Sequence, residues 1–398
     1  EFRRVLFRSA LLAQQLVKNG HQISIISLGA QGTSISHTKD EQGIEVWQIP
    51  LVQIYDPYNL KLKPTQNLTP PASYQKALWH LIDVYNPFMA SQVKKTLKQL
   101  QPELVLTHAL QGFSVSVWRV VKSLGIKLVH MTHDHALICP GTAMTKNAKN
   151  CEKICSQCST YQVLRKTVAV QPDAIVGPSE VILKRHASYQ WFNNIKLQQV
   201  IPNAIANEWP LTTSPVLLQA KWRFGFLGRL DESKGLDTLL EACSLLPANT
   251  FSLQIAGSGP LEKFKKMAQD FNLNEDTVQL VGAVNAVEFL QQIDILVTPS
   301  RAFETFSNVV MEASCSGRPS IVSDRGALPE RVQNGKSGWI FKAGDATDLA
   351  KVMQHCIDSP NQVITKSQAA LSMREQYSLE KQTHLFETLL TQVLQLPS

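Results

Sequence analysis

Short apolar runs alternate with stretches of helical periodicity along nearly the whole chain, and no other feature of the sequence restricts the fold so strongly. Residues 10–19 place Leu12, Leu16 and Val17 at helical spacing and stop at Gly20, where a helix C-terminus favours glycine. Strand-like runs follow at 22–28, 44–49, 103–107, 126–131, 173–177 and 197–201, with helical segments on both sides of Asn86-Pro87 and at 112–124. The pattern resumes more regularly at 222–227, 251–256, 277–281, 293–298 and 320–323, each run followed by a helical segment. An amphipathic helix over 378–396 closes the chain. Strands separated by helices imply right-handed β-α-β units and parallel sheets. Two successive α/β domains are therefore expected, 10–206 and 221–374, with a linker rich in Pro, Thr and Ser at 207–215 and a helical tail at 375–398.

A length of 398 residues is enough for two full hydrophobic cores. The apolar share of 44% and charged share of 18% exclude collagenous, low-complexity and extensively disordered classes. No apolar stretch reaches the ~18 residues a membrane-spanning helix requires, so a cytoplasmic location is expected. A formal charge of +7 and a pI near 9.0 suit anionic company: a nucleotide diphosphate, an acidic lipid surface or nucleic acid. An ordinary basic enzyme carries the same charge, so charge alone does not choose. Residues 1–9 stand apart. Arg3, Arg4 and Arg8 surround Val5, Leu6 and Phe7 without the continuous apolar core or cleavage site of a secretion signal. EFRRVLFRS reads instead as a translated cloning adapter, a non-native segment in place of a lost N-terminus.

In open α/β sheets ligands bind at the carboxyl ends of the strands, so residues just after each strand run are the candidates. After 222–227 comes Gly228-Arg229-Leu230-Asp231-Glu232-Ser233-Lys234-Gly235. Gly228 permits a close turn, and Gly235 opens a helix whose first amides can receive an anion. Arg229 and Lys234 add a forked and a point-like cation, a pair suited to two adjacent phosphates; taken alone they are equally readable as solvated loop charges. After 293–298 comes Pro299-Ser300-Arg301-Ala302-Phe303, then Glu304 and, eight positions on, Glu312. That spacing puts two carboxylates on nearly one side of a helix. Glu304 is expected at the helix entrance beside the amides of Phe306, Ser307 and Asn308. Glu312 lies deeper in an apolar turn, where a carboxylate needs a partner such as a ribose hydroxyl. The plain alternative is a helix-start carboxylate and a structural acceptor.

In this order and spacing the Arg/Lys loop and the two glutamates resemble the retaining glycosyltransferases of family 4, which have the GT-B fold. The resemblance runs from about Leu11 to the last helix. It takes in Gly20-His21, Asn203 within IPNAI, Gly257-Ser258-Gly259-Pro260-Leu261, Gly317-Arg318-Pro319 and the segment GALPE ending at Glu330. It implies two Rossmann-like, doubly wound parallel-sheet domains facing a cleft, acceptor side first and donor side second. It implies that Gly228, Arg229 and Lys234 hold the donor diphosphate, that Glu312 holds the ribose, and that Glu304 is catalytic against the transferred sugar. Phe306, Ser307 and Asn308 belong to the same donor site. In the first domain, Thr132-His133-Asp134-His135 follows the run 126–131. His133 matches the histidine that faces the reacting sugar, with Asp134 and His108 as acceptor-side candidates; a lone histidine is otherwise a structural hydrogen-bonder.

Two departures from the family pattern stand out. The first strand and glycine-rich loop of the family are missing or replaced, and Val5–Phe7 would fill only part of that central strand. Ser307 stands where relatives carry glycine. No Asp-x-Asp pair occurs in the sequence, in keeping with metal-independent GT-B chemistry. The resemblance implies a nucleotide-diphosphate sugar as donor and a glycan, lipid-linked or small-molecule acceptor. No aromatic-plus-basic strand pattern points to nucleic acid, and the positive charge suits peripheral contact with an anionic inner membrane face. A nucleotide-sugar epimerase of the same fold and a metal-containing nucleic-acid binder are the competing readings.

Four of seven cysteines crowd into 139–158 as Cys139, Cys151, Cys155 and Cys158, spaced C-x11-C-x3-C-x2-C. Such spacing suits a structural zinc, with Lys146, Lys149 and Lys153 offsetting thiolate charge; the alternative is a loop of free thiols. Catalysis itself calls for no cofactor.

Overall fold

The computed structural model describes residues 2–57, 71–146, 149–151, 153–206, 209–210, 216 and 221–397, with backbone only for 2–8 and 149. Of the expected linker, only Trp209 and Pro210 fall within this range. The chain forms two compact units. The first takes in residues 1–143, 152–201 and 382–398, and the second 144–151 and 202–381.

The first unit carries strands β1 (Ser24–Gly29), β2 (Ser36–Lys39), β3 (Glu45–Pro50), β4 (Leu104–Thr107) and β5 (Lys127–Met131). A small hairpin of β6 (Thr145–Lys146) and β7 (Lys149–Asn150) follows and belongs to the second unit. Strands β8 (Ala174–Gly177) and β9 (Leu197–Val200) complete the first unit. These strands form two sheets. One has the order β1-β3-β2, in which β2 runs antiparallel to β3; the other is β4-β5-β8-β9, parallel throughout. β8 is buried along its whole length, as expected for a parallel strand covered on both faces.

The helix Phe2–Lys18 begins well before the periodicity at 10–19, and it absorbs Val5–Phe7, which are helical and supply no strand. Leu12 and Leu16 pack against Val129, Met131 and Val176 of the second sheet. The same cluster includes Phe386, Leu389 and Val393 of the closing helix, Leu379–Leu394. Asn19 Nδ2 donates to Glu387 Oε1 at 2.8 Å, and Lys127 Nζ donates to the Leu396 carbonyl at 2.8 Å. The tail from Gln382 is thus part of the first unit's core.

The second unit holds one six-stranded parallel sheet of β10 (Trp222–Leu227), β11 (Phe251–Ala256), β12 (Val278–Gly282), β13 (Ile295–Thr298), β14 (Ser320–Ser323) and β15 (Gly338–Phe341). Its order is β12-β11-β10-β13-β14-β15, the doubly wound order in which the winding reverses between the first and fourth strands. Helices such as Leu236–Ser244 and Ala346–Asp358 cover the sheet with Leu239, Leu240, Leu349 and Met353, against Phe224, Leu253 and Ile321. No helix among the described residues is long and apolar enough to cross a membrane.

Candidate active site

The winding of the second sheet reverses between β10 and β13, and both sequence signals lie at that point. At the end of β10, Gly228 N–H donates to the Ala256 carbonyl at 3.0 Å and Leu230 N–H to the Ser258 carbonyl at 2.8 Å. This loop is therefore fastened to the one after β11. Asp231 then caps a short 3-10 turn by accepting from Ser233 N–H at 2.9 Å. Gly235, at φ +72°, leads into the helix Leu236–Ser244. A Cβ at Gly235 would lie 2.0 Å from the Pro299 carbonyl oxygen, so the loops after β10 and β13 touch backbone to backbone at a point only glycine tolerates. Arg301 and Ala302 N–H groups both donate to the Ser233 carbonyl, at 2.8 and 3.0 Å.

This contact brings Lys234 and Glu304 together. Lys234 Nζ lies 2.5 Å from Glu304 Oε1, which also accepts from Ser300 Oγ at 2.8 Å. The Glu304 carbonyl accepts from Ala327 N–H at 2.8 Å. Arg229 is 72% exposed and only loosely paired, 3.7 Å from Asp231. The guanidinium therefore stands in solvent at the strand end, where an anion can meet it.

Glu304 does not share a helix with Glu312. The helix runs Asn308–Cys315, so Glu312 is helical and half-buried, whereas Glu304 sits in the preceding loop. The expectation of two carboxylates on one helical face fails because Ser307 turns the chain at φ +69° just before the helix begins. Phe306 points inward, with the Arg331 guanidinium 4.3 Å over its ring, so only its backbone faces the loop's surroundings. Asn308 accepts from Asn203 Nδ2 at 3.1 Å.

In the first unit, β4 and β5 end side by side, which brings His108 and His133 into contact. His108 Nδ1 lies 2.8 Å from His133 Nε2, and the rings stack with centroids 5.1 Å apart. One nitrogen must donate and the other accept. Burial holds His108 down to about 4, so it is neutral at physiological pH. Asp134 accepts from Ala136 N–H at 2.7 Å, closing a turn after His133. The two histidines line a cavity of about 20 Å³ with Thr132, Arg165 and His186, room for about one water.

Cys158 lies within hydrogen-bonding reach of Cys139 and Cys155, and burial together with those two thiols pushes its own thiol up. All seven cysteines are reduced thiols. Among the described residues no three His, Cys, Asp or Glu side chains already stand in a metal-binding arrangement.

Several contacts at these sites escaped the sequence. Arg301 pairs with Asp237 at 2.6 Å and Thr238 at 2.7 Å, and Asn150 accepts from Phe303 N–H at 3.0 Å. Ser300, two residues past β13, could have been found by the strand-end rule. Asp237 and Asn150 carry no motif that points to them.

The model of the family 4 glycosyltransferases matches residues 9–209, just over half the chain. The chain belongs to glycosyltransferase family 4. A second model, glycosyl transferases group 1, matches residues 221–359. An amylovoran biosynthesis glycosyltransferase of Erwinia amylovora is 30% identical over 42% of this chain and 43% of its own length. Among solved structures, sucrose-phosphate synthase of Thermosynechococcus elongatus superposes with a TM-score of 0.69 at 17% identity, covering 96% of this chain and 91% of that one. Anabaena HepE in complex with UDP gives 0.61 at 18% identity, over 76% and 82%. The family 4 chain is thus a transferase with two Rossmann-like domains in the GT-B fold, and neither the epimerase nor the nucleic-acid reading is favoured.

Proposed function

We propose that this glycosyltransferase moves a sugar from a nucleotide-diphosphate donor to an acceptor hydroxyl, with retention of configuration, in polysaccharide assembly. The observation that carries the reading is the position of Arg229, Lys234 and Glu304 at the reversal point of the second sheet. As the sugar C1–O bond to phosphate breaks, negative charge grows on the diphosphate and positive charge on C1. Arg229 and Lys234 stabilise the first, an effect that is usually the largest catalytic term. Glu304, already against Lys234, lies where the second develops. The acceptor oxygen forms the new bond to C1 on the same face, and its proton passes to the departing phosphate oxygen. His133 meets the reacting sugar, His108 and Asp134 stand on the acceptor side, and Glu312 holds the ribose. The amides of Phe306, Ser307 and Asn308 receive the phosphate. Two protein cations supply the charge that a metal supplies elsewhere. The UDP complex of HepE and the amylovoran role named for the Erwinia relative support the donor class and the product class. Arg229→Ala and Lys234→Ala should each lower turnover by ~10²–10³-fold, read as nucleotide release across a donor panel. Near-normal turnover of both variants at saturating donor removes the assignment.

We further propose a structural zinc at the cysteine cluster, with Cys139, Cys155 and Cys158 of the first unit as ligands. The C-x11-C-x3-C-x2-C spacing motivates it, and Cys158 lies beside Cys139 and Cys155. Elemental analysis should find about one zinc per chain, and a Cys155→Ser/Cys158→Ser variant should lose both metal and thermal stability.

The enzyme also works at the cytoplasmic face of an anionic membrane. The helix Ser73–Val84 presents Tyr74, Leu78 and Leu81 to solvent, continued by Tyr85 at its end, a spacing of one helical face. Exposed Lys76, Lys94, Lys95 and Lys98 lie on this helix and the next, Pro87–Leu100, a combination suited to an interfacial surface. Cell fractionation should find part of the protein on membranes and released by high salt; none on membranes ends this reading.

A further inference from the structure

Deep in the first unit, Asp83 and Arg165 form an ion pair in which neither side chain has any exposed surface. Asp83 comes from the helix Ser73–Val84 and Arg165 from the helix Ser156–Val168. Such a pair rarely adds stability over apolar residues of the same volume, because desolvating both charges offsets their attraction. Its partners suggest what else it does. The second carboxylate oxygen of Asp83 accepts from Gly112 N–H at 2.6 Å. The second guanidinium arm of Arg165 donates to the Ala136 carbonyl at 3.0 Å. Gly112 lies four residues after His108, and Ala136 three residues after His133. The ion pair therefore grips the backbone of both histidine-bearing loops.

Neither grip is loose. Gly112 is held at φ +86°, a left-handed conformation that favours glycine, with the Leu28 and Leu51 side chains packed close to its Cα. The Ala136 turn is closed from within by Asp134. Arg165 is fixed from its other side by the Tyr161 ring, 4.4 Å from the guanidinium carbon, and it lines the same small cavity as His108 and His133.

We propose that Asp83 and Arg165 are positioning residues for sugar transfer, holding the loops after β4 and β5 so that His108 and His133 keep their hydrogen bond. The inference rests on the reading of His133 as the histidine facing the reacting sugar. A carboxylate has one oxygen for Gly112 N–H and one for Arg165, and the guanidinium fork has one arm for Asp83 and one for the Ala136 carbonyl, so each group serves its loop and its partner at once. Lysine in place of arginine could keep the charge but not both donor directions.

Two variants test this. Arg165→Lys retains the charge while losing one tether. Asp83→Ala/Arg165→Met removes both charges together, so no lone ion is left buried. Both should unfold cooperatively within a few degrees of the wild type. Both should lose turnover ~10–100-fold, as expected when reacting groups shift by about an ångström, with the KM for the donor unchanged. In ¹⁵N-histidine spectra of the intact enzyme, the hydrogen-bonded imidazole signals of His108 and His133 should shift or vanish in both variants. Folded variants with wild-type imidazole spectra overturn the proposal. So does failure of both to fold, which makes the pair a support of the core instead. His133→Ala serves as a separate control. If it keeps normal turnover, the role given to His133 falls, and the positioning claim is then judged on the imidazole spectra alone.

Discussion

Glu304 and Glu312 look alike in sequence, and their surroundings make them different. Glu304 is tied to Lys234 at 2.5 Å and to Ser300 at 2.8 Å in a loop at the strand ends. Glu312 lies one turn into the helix Asn308–Cys315, half-buried. Glu304→Gln removes the charge that faces Lys234 and, in the proposed reaction, the developing positive centre. It should cut kcat by more than tenfold while leaving nucleotide affinity within a few-fold. Glu312→Ala should do the reverse, weakening nucleotide binding by about tenfold for one lost charged hydrogen bond. Titration calorimetry with the free nucleotide, beside steady-state kinetics, checks the division; equal losses in both variants would collapse it. Lys234 and Glu304 were separate candidates in the sequence. Their pairing depends on the Gly235–Pro299 contact, which no local pattern announces.

At the scale of elements, the closing helix is the clearest case of a segment whose role its own periodicity does not disclose. Its apolar spacing marks one buried face, but not which sheet that face covers. Phe386 is fully buried against Leu12, Leu16, Val129 and Met131, residues more than 250 positions earlier in the chain. Phe386→Ala should therefore cost about 3–5 kcal/mol, the usual scale for emptying a large buried aromatic, read from urea unfolding followed by tryptophan fluorescence. A loss below about 1 kcal/mol would mean that the helix is only loosely attached. The helix at the other end of the chain, Phe2–Lys18, is the element the sequence misplaced. Residues 1–9 carry mixed signals, so periodicity alone starts the helix at residue 10, whereas the structure starts it at Phe2.

For the molecule as a whole, the buried His130, His135 and His186 and the half-buried His108 set an acid limit on stability. Burial holds His108 and His186 down to about 4 and His135 to about 3, and lowers His130 well below its ordinary value. Unfolded, each titrates near 6.5, so between pH 6.5 and 4 the unfolded chain binds more protons and acid favours unfolding. Asp83 has the opposite sign. Burial raises it to about 6, despite the opposing pull of Arg165 and the Gly112 amide. Its contribution is present below its unfolded value near 4 and lost as pH rises through 6. Four groups outweigh one, so the urea midpoint should fall steadily from pH 7 to pH 5. A midpoint at pH 5 equal to or above that at pH 7 would show that the histidines are not buried neutral.

The order of residues is enough to set the alternation of strands and helices, the two α/β domains, and the loops after β10, β13, β4 and β5 in which candidates should lie. These are local properties, since periodicity, caps and glycine turns depend on neighbours within a few residues. It also carried the family, through motifs that are short and contiguous. What lies beyond that reach comes from packing in three dimensions. That packing broke the first unit's strands into two sheets, turned Ser307 so that Glu304 leaves the helix, and paired Lys234 with Glu304 and Asp83 with Arg165. Partners 70 and 82 residues apart leave no periodic trace, because what joins them is the packing of whole elements and not the spacing of residues along one.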